Sequence, residues 1–329
     1  MATYKEIKGT GFQNFSSDPG NPINGQVWYN TGSSVLKVAA VSTTGSWATG
    51  GNMTTARATL AGAGTQTASL AFGGRNPGFS SVNATEEYGG TSWTNGGNLS
   101  TTRQKLAGAG TQTAGLAFGG GPSASNATEE YGGTSWTNGG NLSTARRSLM
   151  GAGTQTAGLG FGGYNPPTTL VATEEYNGSS WTNGGNMGTA KRAGGGFGTQ
   201  TAAVSCGGNP NSPNALTQEY DGTSWTNSNN MNTGRYASVG AGTQTAGIAM
   251  GGEGPSSPTS AWAATELYDG SSWTTSPARL SSFRFYMGGC GTQTAGIGFG
   301  GYISGGGGNS VATEEFSGPG TTIETVTTS

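Results

Sequence analysis

Pairs of neighbouring carboxylates are the residues of this sequence whose type and spacing could do chemistry. Two acidic side chains with different pKa values can act as general acid and general base. Here the acids recur at one place of a repeat, so each copy has nearly the same environment. We therefore predict that one Glu of each copy bonds to a basic residue of the repeat and ties strands or neighbouring repeats together. The acids are Glu86-Glu87, Glu129-Glu130, Glu174-Glu175, Glu219, Glu266 and Glu314-Glu315.

Histidine is absent from the 329 residues of the sequence. Its absence excludes Ser-His-Asp and Cys-His nucleophilic sites and ordinary zinc and copper sites. The two cysteines, Cys206 and Cys290, lie at different places in their repeats and are predicted to be small buried side chains, not a disulfide. We expect a protein that is not an enzyme and that needs no metal or cofactor.

Charge and hydropathy limit the partners that the sequence favours. The formal net charge is −2, and the chain has no run of Lys and Arg, so neither nucleic acid nor an anionic membrane surface is an expected partner. No apolar stretch approaches the ~18 residues of a membrane-spanning helix, and the N-terminus does not resemble a signal peptide. We expect no membrane insertion.

A repeat of about 45 residues organises most of the chain. Its most constant part is the block Gly-Thr-Gln-Thr-Ala, which begins at Gly64, Gly110, Gly153, Gly198, Gly242 and Gly291. A basic residue precedes each block: Arg57, Arg103, Arg146, Lys191, Arg235 and Arg284. The Gln side chains of the blocks are expected to satisfy backbone groups in a turn; a ring that binds a small polar ligand or ion is the alternative. They are Gln66, Gln112, Gln155, Gln200, Gln244 and Gln293.

Each copy also predicts four short strands. One strand follows the basic residue, an apolar run ends at a Gly-Gly pair, an acidic segment ends at Tyr88 or its equivalent, and a Trp begins the last strand. This order resembles the kelch repeat over about residues 45–329. The resemblance implies an all-β fold, a six-bladed kelch-like β-propeller with four-stranded antiparallel blades. Kelch-type copper oxidases need histidine ligands and sialidases an arginine triad, and neither pattern is present.

The sixth copy ends at Phe316 without a following Trp, whereas an unassigned strand surrounds Trp47. We predict that the Trp47 strand completes the sixth blade and closes the ring, so that deleting residues 45–53 destabilises it. A seven-bladed ring is the alternative. It would use the alternating tail 321–328 and the strands near Val27 and Val35.

Candidate binding residues lie in the loops between the second and third strands, because these loops vary most between copies. Aromatic side chains with Asn, Ser and Gly suit carbohydrate or protein recognition. Loops without a function are the alternative. The candidates are Arg75, Phe79, Tyr164, Asn165, Asn209, Glu253, Trp262 and Tyr302.

Residues 1–44 precede the repeats and predict a β-hairpin at Gly25-Gln26-Val27-Trp28-Tyr29-Asn30-Thr31-Gly32 and Val35-Leu36-Lys37-Val38. This segment resembles a hairpin that recurs in tail-fibre and other virion proteins of bacteriophages. The resemblance implies a docking segment, with Trp28, Tyr29, Leu36 and Lys37 as contact residues. A hairpin that merely packs on the propeller is the alternative.

Together these features predict a protein of the phage virion, in the tail or on the particle surface. The N-terminal segment would bind other virion or tail proteins, and the propeller loops would bind a host-surface glycan or protein or a neighbouring virion protein. A purely structural virion protein, a cellular kelch adaptor and a carbohydrate-active enzyme are the alternatives. Presence in purified particles, host-cell binding and glycan turnover distinguish them.

Overall fold

A computed structural model describes residues 13–20, 25–42, 44–208, 214–254 and 263–326. These residues form strands joined by turns and contain no α-helix, so they also offer no helix that could span a membrane. The chain divides into two compact units, one of Met1–Gly45 with Pro319–Ser329 and one of Ser46–Gly318. The all-β expectation is therefore confirmed.

The first unit contains a four-stranded sheet. In spatial order its strands are β1 (Gln13–Phe15), β2 (Val27–Asn30), β3 (Val35–Ser42) and β33 (Gly320–Thr325). The β2 and β3 strands form the predicted hairpin, with Trp28 opposite Lys37. The tail strand β33 lies antiparallel to β3, with Ile323 opposite Ala39. The pairing of β3 with β33 brings the C-terminal tail into the same sheet as the hairpin.

The second unit contains six four-stranded antiparallel sheets among the residues described, as a β-propeller would have. We number them in the order of the repeats and give their strands from the innermost outwards. Sheets 1 to 3 are β5 (Ala61–Gly64), β6 (Ser69–Phe72), β7 (Thr85–Tyr88) and β8 (Trp93–Asn95); β9 (Ala107–Gly110), β10 (Gly115–Phe118), β11 (Thr128–Tyr131) and β12 (Trp136–Asn138); and β13 (Met150–Gly153), β14 (Gly158–Phe161), β17 (Thr173–Tyr176) and β18 (Trp181–Asn183).

Sheets 4 to 6 repeat this order. They are β19 (Gly195–Gly198), β20 (Ala203–Cys206), β21 (Thr217–Tyr220) and β22 (Trp225–Ser228); β23 (Val239–Thr243), β24 (Ala246–Met250), β25 (Ala264–Tyr268) and β26 (Trp273–Arg279); and β28 (Gly288–Gly291), β29 (Ala295–Phe299), β32 (Thr313–Ser317) and β4 (Ser46–Thr49). Short strands at the loops complete the set: β15 (Tyr164–Asn165), β16 (Thr168–Thr169), β27 (Arg284–Phe285), β30 (Tyr302–Ile303) and β31 (Gly308–Asn309).

Sheet 6 combines strands from opposite ends of the repeat region. The β4 strand pairs antiparallel with β32, which places Trp47 opposite Phe316. Their rings pack with centroids 5.2 Å apart. The prediction that the Trp47 strand joins the sixth copy is confirmed. The strands of the seven-bladed alternative instead form the separate sheet of the first unit.

Neighbouring sheets are joined by the same side-chain hydrogen bonds at every junction. The Trp that begins each outermost strand donates its Nε1–H to the Thr hydroxyl of the preceding sheet, at 2.9 Å in every case. Sheet 1 uses Trp93 and Thr313 of sheet 6, and sheet 6 uses Trp47 and Thr265 of sheet 5. The bonds therefore run through all six sheets and return to the first.

The inner strands pack closely, and this explains the many glycines. Contacts follow the order β5, β9, β13, β19, β23, β28 and back to β5. A Cβ added to Gly108 of β9 would lie 2.7 Å from the Phe72 ring and 2.8 Å from the Gly62 carbonyl oxygen of β5. No other residue type fits there. Two cavities of about 110 and 140 Å³, which we call the channel, are each lined by inner-strand residues of all six sheets.

Candidate functional site

The repeated acids have a structural role. In five sheets the repeated Arg forms an ion pair with the first Glu of the acidic segment, and both side chains are buried. Arg146, for example, donates to Glu174 at 2.7 Å and to the carbonyl oxygens of Gly162 and Ala172 at 3.1 and 2.8 Å. The predicted Glu–Arg bonding is confirmed in these copies.

The second acid connects neighbouring sheets. Tyr176 donates its hydroxyl to Glu130 of the preceding sheet at 2.5 Å. At the junction between sheets 5 and 6 both partners are apolar, because Phe316 replaces Tyr and Leu267 replaces Glu, and they pack in one cluster. The paired replacement shows that these carboxylates accept the hydrogen bond of a phenol in the neighbouring sheet.

The Gln side chains also join sheets. Each donates through Nε2 to two carbonyl oxygens of the preceding sheet, as Gln155 does to Gly115 and Tyr131 at 3.0 and 2.8 Å. The other five make equivalent pairs of bonds. The expectation of backbone bonding is thus confirmed, although the carbonyls belong to the neighbouring sheet and not to the turn that carries the Gln.

Sheet 4 departs from the ion-pair pattern. Lys191 replaces Arg, and Gln218 stands where the other sheets have Glu. The fully buried ammonium group donates to the Leu216 carbonyl oxygen at 2.7 Å and to the Ser205 hydroxyl and carbonyl oxygens at 3.2 and 3.3 Å. Among the described residues, the oxygens that accept from this ammonium group belong to carbonyl and hydroxyl groups and not to a carboxylate. Burial lowers the pKa of Lys191 to about 7, a shift that the nearby Cys206 opposes.

This lysine should make stability depend on pH. Above pH 7 the unfolded chain keeps a proton on Lys191 that the folded chain has lost, because the unfolded pKa is near 10.5. The free energy of unfolding should therefore rise with pH between 7 and 9.5, by up to about 1.4 kcal/mol per unit. We expect K191M to remove this slope when urea unfolding is measured across the range. An unchanged slope in K191M would contradict the assignment.

Backbone hydrogen bonds form a cycle at one end of the inner strands. The six residues that lie two positions after each repeated basic residue have left-handed backbones, although none is glycine. Each donates its N–H to the carbonyl oxygen of its counterpart in the preceding copy, at 2.6 to 2.9 Å. We call this set the mouth ring. It consists of Thr59, Lys105, Ser148, Ala193, Ala237 and Tyr286.

A cavity of about 420 Å³ opens at the mouth ring, and we call it the mouth cavity. Its lining combines cations, tyrosines and small residues. The Tyr164 ring lies 4.2 Å from the Arg192 guanidinium and 5.7 Å from that of Arg147. The lining residues are Lys105, Arg147, Ser148, Tyr164, Arg192, Ala193, Tyr236 and Tyr286. The repeats of sheets 2, 3 and 4 thus each contribute a cation, and the repeats of sheets 5 and 6 each contribute a tyrosine.

Positive charge dominates the electrostatics of this cavity. Burial lowers the pKa of Lys105, and the charges of Arg147, Arg75 and Arg192 lower it further. Tyr236 is bonded to Glu253 and to Tyr286, and burial with these contacts raises the pKa of Tyr236 far above its usual value. Both phenols are therefore neutral hydrogen-bonding groups at neutral pH.

The predicted loop residues do not form one site in the structure, because they lie in several separate places. Tyr164 lines the mouth cavity. The charge of Arg75 contributes to the lowered pKa of Lys105, and Glu253 contributes to the raised pKa of Tyr236. Phe79 is 66% exposed beneath the Arg75 guanidinium, at 4.7 Å. The others lie in short loop strands, where Asn165 pairs with Thr168 and Tyr302 packs on Phe285. Asn209 and Trp262 lie outside the described residues.

Sequence reasoning missed Lys105, Arg147, Arg192, Tyr236 and Tyr286 as candidate site residues. Each follows a repeated basic residue by one or two positions. The signal was present, because the repeated residue is constant in charge whereas the pair of residues after it is never the same in two copies. This variation lies outside the loops between the second and third strands.

The predicted docking residues divide between core and surface of the first unit. Trp28 is fully buried and donates to Asp18 at 3.1 Å, so it holds the sheet together and is not available for direct contact. Tyr29 is 38% exposed and lies opposite the half-buried Leu36. Lys37 donates to the Thr325 hydroxyl at 2.8 Å.

Comparison with known proteins adds no relative. No protein-family model matches the chain, and no curated protein matches it either. Within the described residues no group of three or more His, Cys, Asp and Glu side chains could hold a metal ion. Cys206 and Cys290 are both buried and unbridged, as predicted.

Proposed function

We propose that this chain is a non-enzymatic attachment protein of a phage particle. Its six sheets would form a closed, six-bladed kelch-like propeller whose mouth binds a component of the host surface. Its N-terminal unit would bind other virion proteins. The observation that carries this proposal is the contrast between sheet junctions that are nearly uniform in all six copies and one mouth cavity that five repeats line with cations, tyrosines and small residues.

Closure of the ring is supported by three independent cycles. The Trp–Thr bonds, the Gln–carbonyl bonds and the mouth ring each pass through all six copies and return to the first. At the last step, Thr59 donates to Tyr286 and Gln66 donates to Phe316. A closed ring leaves each sheet covered by its neighbours, so that stability does not depend on the mouth side chains.

A binding role is supported because the mouth side chains are not among the repeated residues that join the sheets. The residues that join sheets are nearly identical in every copy, whereas Lys105, Arg147, Tyr164, Arg192 and Tyr236 have no counterparts of the same type at equivalent positions in most copies. Partly exposed aromatic and Arg side chains are the types enriched at recognition surfaces. Such a surface on a rigid scaffold suits attachment.

Docking through the N-terminal unit is supported by its separate sheet and by its hairpin, which resembles hairpins of phage virion proteins. The exposed Tyr29 and the half-buried Leu36 would provide contact area, while buried Trp28 would keep the sheet rigid. In this proposal the N-terminal unit binds the phage particle, and the propeller binds the host surface.

The direct test is saturable binding of labelled protein to candidate host cells, together with mass spectrometry of purified particles. We expect the protein in the particles and expect Y164A to lose cell binding. The matched control is F283A, which removes another exposed aromatic ring that does not line the cavity. Presence in particles without cell binding would indicate a purely structural virion protein. Absence from particles would favour a cellular kelch adaptor.

A further inference from the structure

We propose that the mouth cavity binds an acidic sugar residue, held by its carboxylate. This inference deepens the proposed attachment function and rests on it for the source of the sugar, a charged surface polysaccharide. It concerns the cavity formed by Lys105, Arg147, Tyr164, Arg192 and Tyr286, with Arg75 at its edge.

The distribution of basic residues is the first observation. Of the twelve Lys and Arg residues in the described ranges, six are the buried repeated residues that stabilise the sheets. Four of the other six lie together at the mouth: Arg75, Lys105, Arg147 and Arg192. They come from four different repeats, and their mutual repulsion contributes to the lowered pKa of Lys105. An anion would relieve this repulsion.

The positions of the guanidinium groups are the second observation. Arg147 and Arg192 both lie against the Tyr164 ring, and Arg147 also donates to the Pro122 carbonyl oxygen. Contacts of this kind limit the rotamers of both side chains before a ligand arrives. Two planar donor groups held near one Lys suit a carboxylate, which accepts paired hydrogen bonds from guanidinium.

The remaining lining favours a sugar over an inorganic ion or a protein. Tyr236 and Tyr286 present neutral hydroxyl groups, and Tyr164 offers an aromatic face, so the cavity can bind hydroxyl groups and a ring as well as a charge. Its volume of about 420 Å³ lies within the range of small-molecule sites. The charge of Glu253 acts on Tyr236 and Tyr286 and would disfavour a negative group beside these two phenols.

The test is calorimetric titration of the full-length protein with glucuronic acid, and with glucose as the uncharged counterpart. We expect glucuronic acid to bind and glucose to bind at least about tenfold more weakly, a difference of about 1.4 kcal/mol. The R147Q/R192Q double variant should weaken glucuronic acid binding by more than about tenfold. The control R279Q removes an exposed Arg of an outermost strand and should leave the affinity unchanged.

Two further measurements make each outcome decisive. K105Q removes a mouth charge by a different substitution, and thermal melting of each variant identifies any that does not fold. Equal binding of glucose, or unchanged binding by both R147Q/R192Q and K105Q, would overturn the inference. Sodium sulfate that binds without being displaced by glucuronic acid would also overturn it, because it would show an anion site without sugar recognition.

The outcome for this inference is separable from that for the attachment function. Cell binding that is lost in Y164A but kept in R147Q/R192Q would overturn the acidic-sugar inference and leave attachment standing. Binding of glucuronic acid that depends on Arg147 and Arg192, without binding to any host cell, would keep the site and overturn the attachment function.

Discussion

R146A should lower the free energy of unfolding by about 3–5 kcal/mol, because it leaves a buried carboxylate without its cation. Glu174 would keep only its bond from the Ser143 N–H, at 2.6 Å. The carbonyl oxygens of Gly162 and Ala172 would also lose a donor. Urea unfolding followed by tryptophan fluorescence measures the change.

The natural sequence supplies the control for this prediction. Sheet 4 contains the pair Lys191 and Gln218 in place of Arg and Glu. The double variant R146K/E174Q copies that pair into sheet 3 and should lose less stability than R146A, because no unpaired carboxylate remains. A double variant as unstable as R146A would show that the Arg geometry, and not charge balance, determines stability.

W47A should lower the free energy of unfolding by about 3 kcal/mol, although Trp47 lies at the N-terminal end of the repeat region, far in sequence from the rest of sheet 6. Its ring packs on Phe316, and its Nε1 donates to Thr265 of the neighbouring sheet at 2.9 Å. The loss of these contacts should destabilise sheets 5 and 6 together. Urea unfolding measures this change too.

Trp181 is the matched control for Trp47. It is equally half-buried, packs on Tyr176 with centroids 5.0 Å apart, and donates to Thr128 at 2.9 Å. W181A and W47A should therefore be destabilised by similar amounts. A near-neutral W47A beside a strongly destabilised W181A would contradict the view that β4 completes the sixth sheet.

Much of the fold could be predicted from the sequence because the determining pattern is local and repeated. Each strand lies within a few residues of a sequence feature that recurs in the repeat, such as the Gly-Gly pair or the Trp. The absence of Trp after Phe316 and its presence at Trp47 predicted one shared sheet, and β4 pairs with β32 accordingly. The paired partners Arg146 and Glu174 were also predictable, since both recur at fixed places.

The site was harder to predict, because its residues lie far apart in sequence. Arg75, Lys105, Arg147 and Arg192 do not form a cluster in the sequence, so composition indicated no basic surface. The structure brings them together because the sheets meet around a common channel. The left-handed backbone at Lys105 adds to the difficulty, since such a conformation at a residue other than glycine carries no sequence signal.

The tail strand was another feature that the sequence left open. Its alternating residues fit an edge of either unit, and only the observed ladder between β3 and β33 decides between them. Burial of Trp28 was equally hidden, because a Trp beside an exposed Tyr in a short hairpin gives no indication of which one faces the core. Both features depend on contacts between segments far apart in the sequence.

The most direct test of the account is a disulfide across the closing pair of strands, because the mouth cavity exists only if the ring is closed. Ser46 and Ser317 are exposed and directly opposite in β4 and β32. Such a pair has Cα atoms about 5.5 Å apart, within the range of a disulfide. S46C/S317C should oxidise within one chain and melt at a higher temperature, whereas S46C/S228C should not cross-link. Four free thiols in oxidised and denatured S46C/S317C, two more than the native Cys206 and Cys290 supply, or cross-links only between chains, would contradict the closed ring.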